Sequence, residues 1–271
     1  MEKLNALDWA DGLCYAAYGV RLGLRVTERD LLPDLLPLLP PDWKPSTTRR
    51  VQWVHSLSSI PLAREPGLLL HRAHTGGGQL TRGSNLERVK AALGRDIRRA
   101  LAYLSAWRTF VHAGAVGWKG KAIVLPGPAE SGKSVLTAAL VRAGATLYSD
   151  EFAILDGRGR VHPYPLPIRM LEGEGPRSRP VPVKELGGRP GTKPLPVGMV
   201  LQTRYEPRAE GRLQRLSPGR AALVLMSNTM QGRRRPERVM ETVGRATTDA
   251  ICLRGPRHDA RKFVDTVLGF W

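Results

Sequence analysis

Between positions 121 and 143 the chain runs from an apolar β-type segment, Lys121 to Leu125 (KAIVL), through a glycine-bounded loop into a helix-forming segment, Val135 to Ala143 (VLTAALVRA). The loop, Gly127-Pro128-Ala129-Glu130-Ser131-Gly132-Lys133-Ser134, is a complete G-x-x-x-x-G-K-[ST] phosphate loop. Its chemistry requires strand, glycine loop and helix in that order, and this restricts the fold more than any other stretch. Gly127 and Gly132 permit backbone angles that turn consecutive N–H groups inward as an anion nest clear of side chains. The following helix aims its positive end at the same point. Lys133 brings a compact, mobile charge to the β- and γ-phosphates of a nucleotide, and Ser134 offers a hydroxyl to Mg²⁺. The run from Gly127 to Val135 is the expected nucleotide-binding segment.

Asp150 lies 17 residues after Lys133, within Ser149-Asp150-Glu151 at the end of an apolar run, Ala145 to Tyr148. That distance fits a helix, a turn at Gly144, and a return strand packed beside the first, which brings the acids to the loop end of the sheet. Two adjacent carboxylates there can divide the labour. One orients and deprotonates a hydroxyl, and the other holds the metal or its water shell. Upstream, His112-Ala113-Gly114-Ala115-Val116 and Lys121–Leu125 form a hairpin across Trp118-Lys119-Gly120, which sets His112 level with the phosphate loop.

The run HAGAVGWKGKAIVLPGPAESGKSVLTAALVRAGATLYSDEFAIL, from His112 to Leu155, resembles the catalytic core of the HPr kinase/phosphorylase superfamily, and more closely its HPr-kinase-related proteins. There, too, a His opens the hairpin, the phosphate loop follows its second strand, and an acidic pair ends the next strand. VHPYPLPIRM, Val161 to Met170, resembles the segment that comes after the pair. The resemblance implies ATP- and Mg²⁺-dependent transfer of the γ-phosphate to a serine or other hydroxyl. Asp150 would be the general base, Lys133 and Ser134 the nucleotide and metal groups, and His112 a site-organising residue. Glu151 stands where the HPr enzymes have a second Asp, and would join Ser134 at the metal. Leu171 to Pro182 departs from the glycine-rich acidic signature tied there to metal binding and phosphorylase activity, although Glu172 remains as a ligand. The resemblance leaves phosphorylase activity, and HPr as the substrate, open. Arg169, Arg254 and Arg257 compete as the arginine that completes the site, and analogy with the hexameric HPr enzymes implies a homo-oligomer.

The implied fold is α/β: a P-loop kinase core of the HPr kinase/PEP carboxykinase type, a mixed sheet with flanking helices, over residues 86–271. A small α+β module over residues 1–85 precedes it. In that module residues 19–27 alternate Val20, Leu22, Leu24 and Val26 as a half-buried strand. A helix start at Thr27 and Asp30 and strands at 51–57, 68–73 and around Leu80 follow. Leu86, Val89, Leu93, Ile97, Ala100, Leu104, Trp107 and Val111 predict one helix over 86–111, capped by Ser84 or Asn85. Residues 161–196 are dense in proline and glycine and predict a long functional loop. Beyond it the pattern predicts strands at 197–202 and 248–253 and helices at 217–230 and 258–268.

The net charge of +18 raises nucleic acid as a competing partner. It is spread along the chain: 16 basic and 10 acidic groups over 1–108, 7 and 4 over 109–171, and 19 and 10 over 172–271. Arg233-Arg234-Arg235 is the one tight cluster, and no aromatic-interleaved basic stripe accompanies it, so nucleic acid is not the expected partner. A diffuse positive field also attracts phosphorylated and acidic substrates. The alternative is a nucleotide-binding regulatory protein, or a basic nucleic-acid-binding P-loop NTPase, without kinase activity. Two cysteines, Cys14 and Cys252, are too few for a disulfide framework. Met1-Glu2-Lys3 leads into Asp8 and Asp11 rather than an apolar leader, and Leu31–Leu39 is broken by Pro33, Asp34 and Pro37. The expectation is a cytoplasmic chain with no membrane span.

Overall fold

A computed structural model describes residues 7–62, 65, 67–128, 130–171, 178–209 and 212–271. The chain is mixed α/β and divides into two units, Met1–Trp107 and Arg108–Trp271. The first unit is a six-stranded sheet in the order β3-β1-β2-β4-β5-β6: β1 (Asp11–Ala17), β2 (Val20–Val26), β3 (Lys44–Pro45), β4 (Trp53–Pro61), β5 (Leu69–Thr75) and β6 (Gly78–Gly83). Tyr18 and Gly19 both take left-handed backbone angles (φ 48° and 79°) and join β1 to β2 in a tight hairpin whose twist suits the strands. Alternation then buries Val20, Leu22, Leu24 and Val26 on one face, which α1 (Leu31–Leu35) helps to cover.

Helix α2 (Leu86–Leu104) packs on β5 and β6 through Val89, Leu93, Ile97 and Leu101. Asn85 Oδ1 accepts the Arg88 backbone N–H at 3.0 Å and caps its start. The periodic pattern predicts this helix to 111, but it stops at Leu104. Ser105 leaves the helical region (ψ 123°), and Thr109, Phe110 and Val111 pair with Leu155, Ile154 and Ala153 as a strand. β-branched and aromatic residues lose less side-chain freedom in a strand, and pairing leaves Phe110 and Val111 fully buried. Trp107, expected on the apolar face, is 66% exposed. Because α2 packs on the first sheet, the boundary falls at 107/108 rather than the expected 85/86.

The second unit holds an eight-stranded mixed sheet: β7 (Thr109–Trp118), β8 (Lys121–Pro126), β9 (Thr146–Ser149), β10 (Phe152–Leu155), β11 (Val161–His162), β14 (Val197–Tyr205), β15 (Gln214–Arg215) and β16 (Ile251–Arg257). Its order is β11-β10-β7-β8-β14-β16-β15, with β9 also on β7. β8, β14 and β16 run parallel, so their carboxyl ends share one edge. Alternation splits the core in two. Val116, Ile123, Leu125, Met199, Leu201 and Leu253 face helices α3 (Lys133–Arg142) and α6 (Ala260–Leu268). Val111, Ala113, Ala115, Val124, Val200 and Cys252 face α4 (Pro218–Ser227) and α5 (Pro236–Thr247).

The described residues of the proline-rich stretch are more ordered than its composition suggests. A small separate hairpin, β12 (Ile168–Leu171) with β13 (Ser178–Val181), and bridges Leu147–Pro190 and Val161–Leu195 tie it down. Glu172, the further ligand candidate, lies outside the described residues. Gly191 permits this close approach, since a Cβ there would fall 2.3 Å from the Tyr148 ring. Among the described residues no helix is long and apolar enough to cross a membrane.

Candidate functional site

The glycine loop leaves the carboxyl end of β8 and enters α3 at Lys133. Gly132 caps that helix at φ 83°, and a Cβ there would lie 2.1 Å from Arg257 Nη2, so only glycine fits. Glu130 is also left-handed (φ 64°), and Ala129 lies outside the described residues. Lys133 Nζ donates to the Gly127 carbonyl at 2.9 Å and to the Pro128 carbonyl at 2.5 Å, folding its charge over the first half of the loop. Burial pulls this lysine below its ordinary value, and the Asp150 carboxyl opposes the shift. Ser131 is buried and its hydroxyl has no partner, Pro128 is exposed, and Val135 is 44% exposed on the first turn of α3.

The acids reach this loop by a route different from the one expected. The return strand β9 pairs antiparallel with β7, one strand over, rather than beside β8. Registers Ala113↔Pro126, Ala115↔Ser149 and His112↔Phe152 still bring the turn between β9 and β10 level with the start of the loop. Ser149 makes that turn. It is fully buried, and its hydroxyl accepts the Glu151 N–H at 3.1 Å and the Phe152 N–H at 2.9 Å, which halts one strand and restarts the next.

Asp150 therefore sits against the amino end of α3. The Ser134 hydroxyl and the Arg169 backbone N–H act as donors to its carboxyl, and the Lys133 charge reaches it. Burial, with a smaller push from the neighbouring Glu151 charge, outweighs these and raises Asp150 to about 7. Its Oδ1 is buried without a hydrogen-bond partner. His112 sits edge-on to Phe152, ring centroids 6.1 Å apart, and its ring engages the backbone of Gly127. Burial and the Lys133 charge push this histidine down and favour neutral imidazole.

The three candidate arginines separate. Arg169 touches Asp150 through its backbone, while its guanidinium donates to Ser178 Oγ at 3.2 Å. Arg254 is exposed on β16. Arg257 is buried: Nη2 donates to the Gly132 carbonyl at 2.9 Å, Nη1 to the His258 carbonyl at 2.9 Å, and the guanidinium lies 5.3 Å from the Tyr205 ring centroid. It braces the loop from behind. The Arg257 brace could not be read from a local motif, because it depends on which strands pair, whereas the Ser149 turn is local, its hydroxyl accepting N–H groups two and three residues on.

Among the described residues no three His, Cys, Asp or Glu side chains cluster as a closed metal site. The oxygen donors that converge are Ser134 and Asp150, with Glu151 adjacent. That set suits a hard cation that takes its remaining ligands from phosphate and water. Compared with known proteins, the chain matches no family model, and no curated protein matches it.

Proposed function

We propose that this chain is an ATP- and Mg²⁺-dependent kinase that transfers a γ-phosphate to a serine or other hydroxyl, on a core of the HPr kinase type. One observation carries the reading: the buried carboxyl of Asp150 lies beside Lys133 and Ser134 at the mouth of a glycine loop. Loop amides and Lys133 hold the β- and γ-phosphates and offset the charge of the transferring group. Ser134 and the acid pair would hold Mg²⁺, which would supply positive charge to offset that of the phosphates. Asp150 accepts the acceptor hydroxyl's proton. His112 positions the loop by holding Gly127, and Arg257 holds Gly132 from the other side. The acceptor is a peptide, protein or small metabolite bearing a hydroxyl, and the compartment is the cytoplasm.

The test is transfer of label from γ-³²P-ATP, with Mg²⁺, to a library of serine-containing peptides and small alcohols. The expected result is acid-stable label on the acceptor hydroxyl, absent without Mg²⁺. No transfer, together with nucleic-acid binding of steep salt dependence, would replace this reading with the regulatory, nucleic-acid-binding one.

A further inference from the structure

A cavity of about 490 Å³ opens beside the glycine loop, on the flank away from Asp150. The loop contributes Gly127, Pro128 and Ser131 to its wall. Opposite them, three side chains stand in one row across three strands: Gln202 on β14 and Gln214 on β15 are both register partners of Arg254 on β16. Alternation puts the row on the sheet face of Val200 and Cys252. His112, in step with Val116, belongs to the opposite face, where α3 carries Lys133 and Ser134. The loop thus stands between two flanks, one holding the carboxylate and the other an open cavity with Gln202, Gln214 and Arg254 in its wall.

Phosphoryl transfer needs the attacking and leaving oxygens roughly in line through phosphorus. The acceptor oxygen bonds to the γ-phosphorus and yields its proton to Asp150. The bond from that phosphorus to the β-bridging oxygen breaks, and its electron pair leaves on the nucleoside diphosphate. If Asp150 marks the acceptor flank, the leaving nucleotide must exit on the other. We infer that this cavity receives the nucleoside end of the nucleotide, with Gln202 and Gln214 hydrogen-bonding it and Arg254 lying against the base or the departing phosphates. This rests on the kinase reading above. The volume suits a small-molecule site, and amide side chains present both donors and acceptors to a base edge. The cavity's other charges lean the same way: Arg204 is paired with Glu206 at 2.6 Å, and Arg212 adds positive charge.

Calorimetry on the full chain separates the two halves of the ligand. Mg-ATP and Mg-tripolyphosphate are titrated into the wild type and into Gln202→Leu, Gln214→Leu and the double variant, all neutral changes that leave the field at the loop unaltered. The expected result is a loss of about tenfold or more in ATP affinity in the double variant, with tripolyphosphate affinity unchanged, since tenfold is about 1.4 kcal/mol. Equal loss for both ligands, loss for neither, or a loss confined to the acceptor's KM would overturn the assignment while leaving the kinase reading intact. A wild type that binds neither ligand would overturn the kinase reading, and this assignment with it.

Discussion

Asp150→Asn is expected to lower kcat by about 10²–10⁴-fold while Mg-ATP affinity stays within a few-fold of wild type. The amide keeps the shape of the side chain and can still meet the Ser134 hydroxyl, but it has no basic oxygen to take the acceptor's proton. A second effect has the opposite sign and is read without turnover. Burial holds Asp150 near 7 in the folded chain against 3.8 for the ordinary group, so in the metal-free protein its ionised form is a destabilising charge. That penalty is absent below about pH 4, grows as pH rises, and is fully present above about pH 7. The variant should therefore melt higher than wild type at pH 8 and alike at pH 4 in chelator. Equal kcat in variant and wild type would remove Asp150 from the chemistry.

Lys133→Ala is expected to lose nucleotide affinity and turnover together, with affinity falling about 10²-fold or more. A lysine ammonium on phosphate oxygens makes charge-assisted hydrogen bonds of about 1.5–3 kcal/mol each, and several are lost at once. The same ammonium donates to the Gly127 and Pro128 carbonyls, contacts it would exchange for phosphate on the proposed binding. The two variants are a contrasting pair: one keeps binding and loses chemistry, the other loses both. Calorimetry with Mg-ATP reads the difference directly. Unchanged affinity in Lys133→Ala would mean that the nucleotide does not use this loop.

Much of this arrangement is legible in the sequence, for identifiable reasons. The hairpin of β7 and β8 shows itself in two apolar runs around Lys119-Gly120, and both of those residues take the left-handed angles such a turn needs (φ 43° and 79°). The start of α2 is marked by Asn85, and its buried stripe by Val89, Leu93 and Ile97. The end of α2 is not, since Trp107 and Val111 continue the helical spacing although strand pairing claims the backbone after Ser105. Helix α5 carries Pro236 at its first position and buries Val239, Val243 and Ala246, but it follows the arginine cluster 233–235, which reads as a charged patch. Strand β1 hides behind Gly12, Cys14 and Ala16, which carry little β signal.

At the site, contiguous chemistry was legible and long-range support was not. Gly127, Gly132, Lys133 and Ser134 stand close together in sequence, as the proposed anion nest requires, so a linear pattern picks them out. Asp150 follows from spacing, although the path to it, β9 on β7, differs from the simplest one. Arg257 stands 125 residues from the glycine it braces, and nothing local separates it from Arg254.

The most direct measurement is the structure of the chain with Mg²⁺, a non-hydrolysable ATP analogue and a serine-bearing acceptor. The expected result is the triphosphate in the Gly127–Ser134 loop, with an Asp150 carboxylate oxygen about 3 Å from the acceptor hydroxyl and that hydroxyl facing the γ-phosphorus. An Asp150 carboxylate about 10 Å or more from both, with the loop fully closed on the nucleotide, would contradict it.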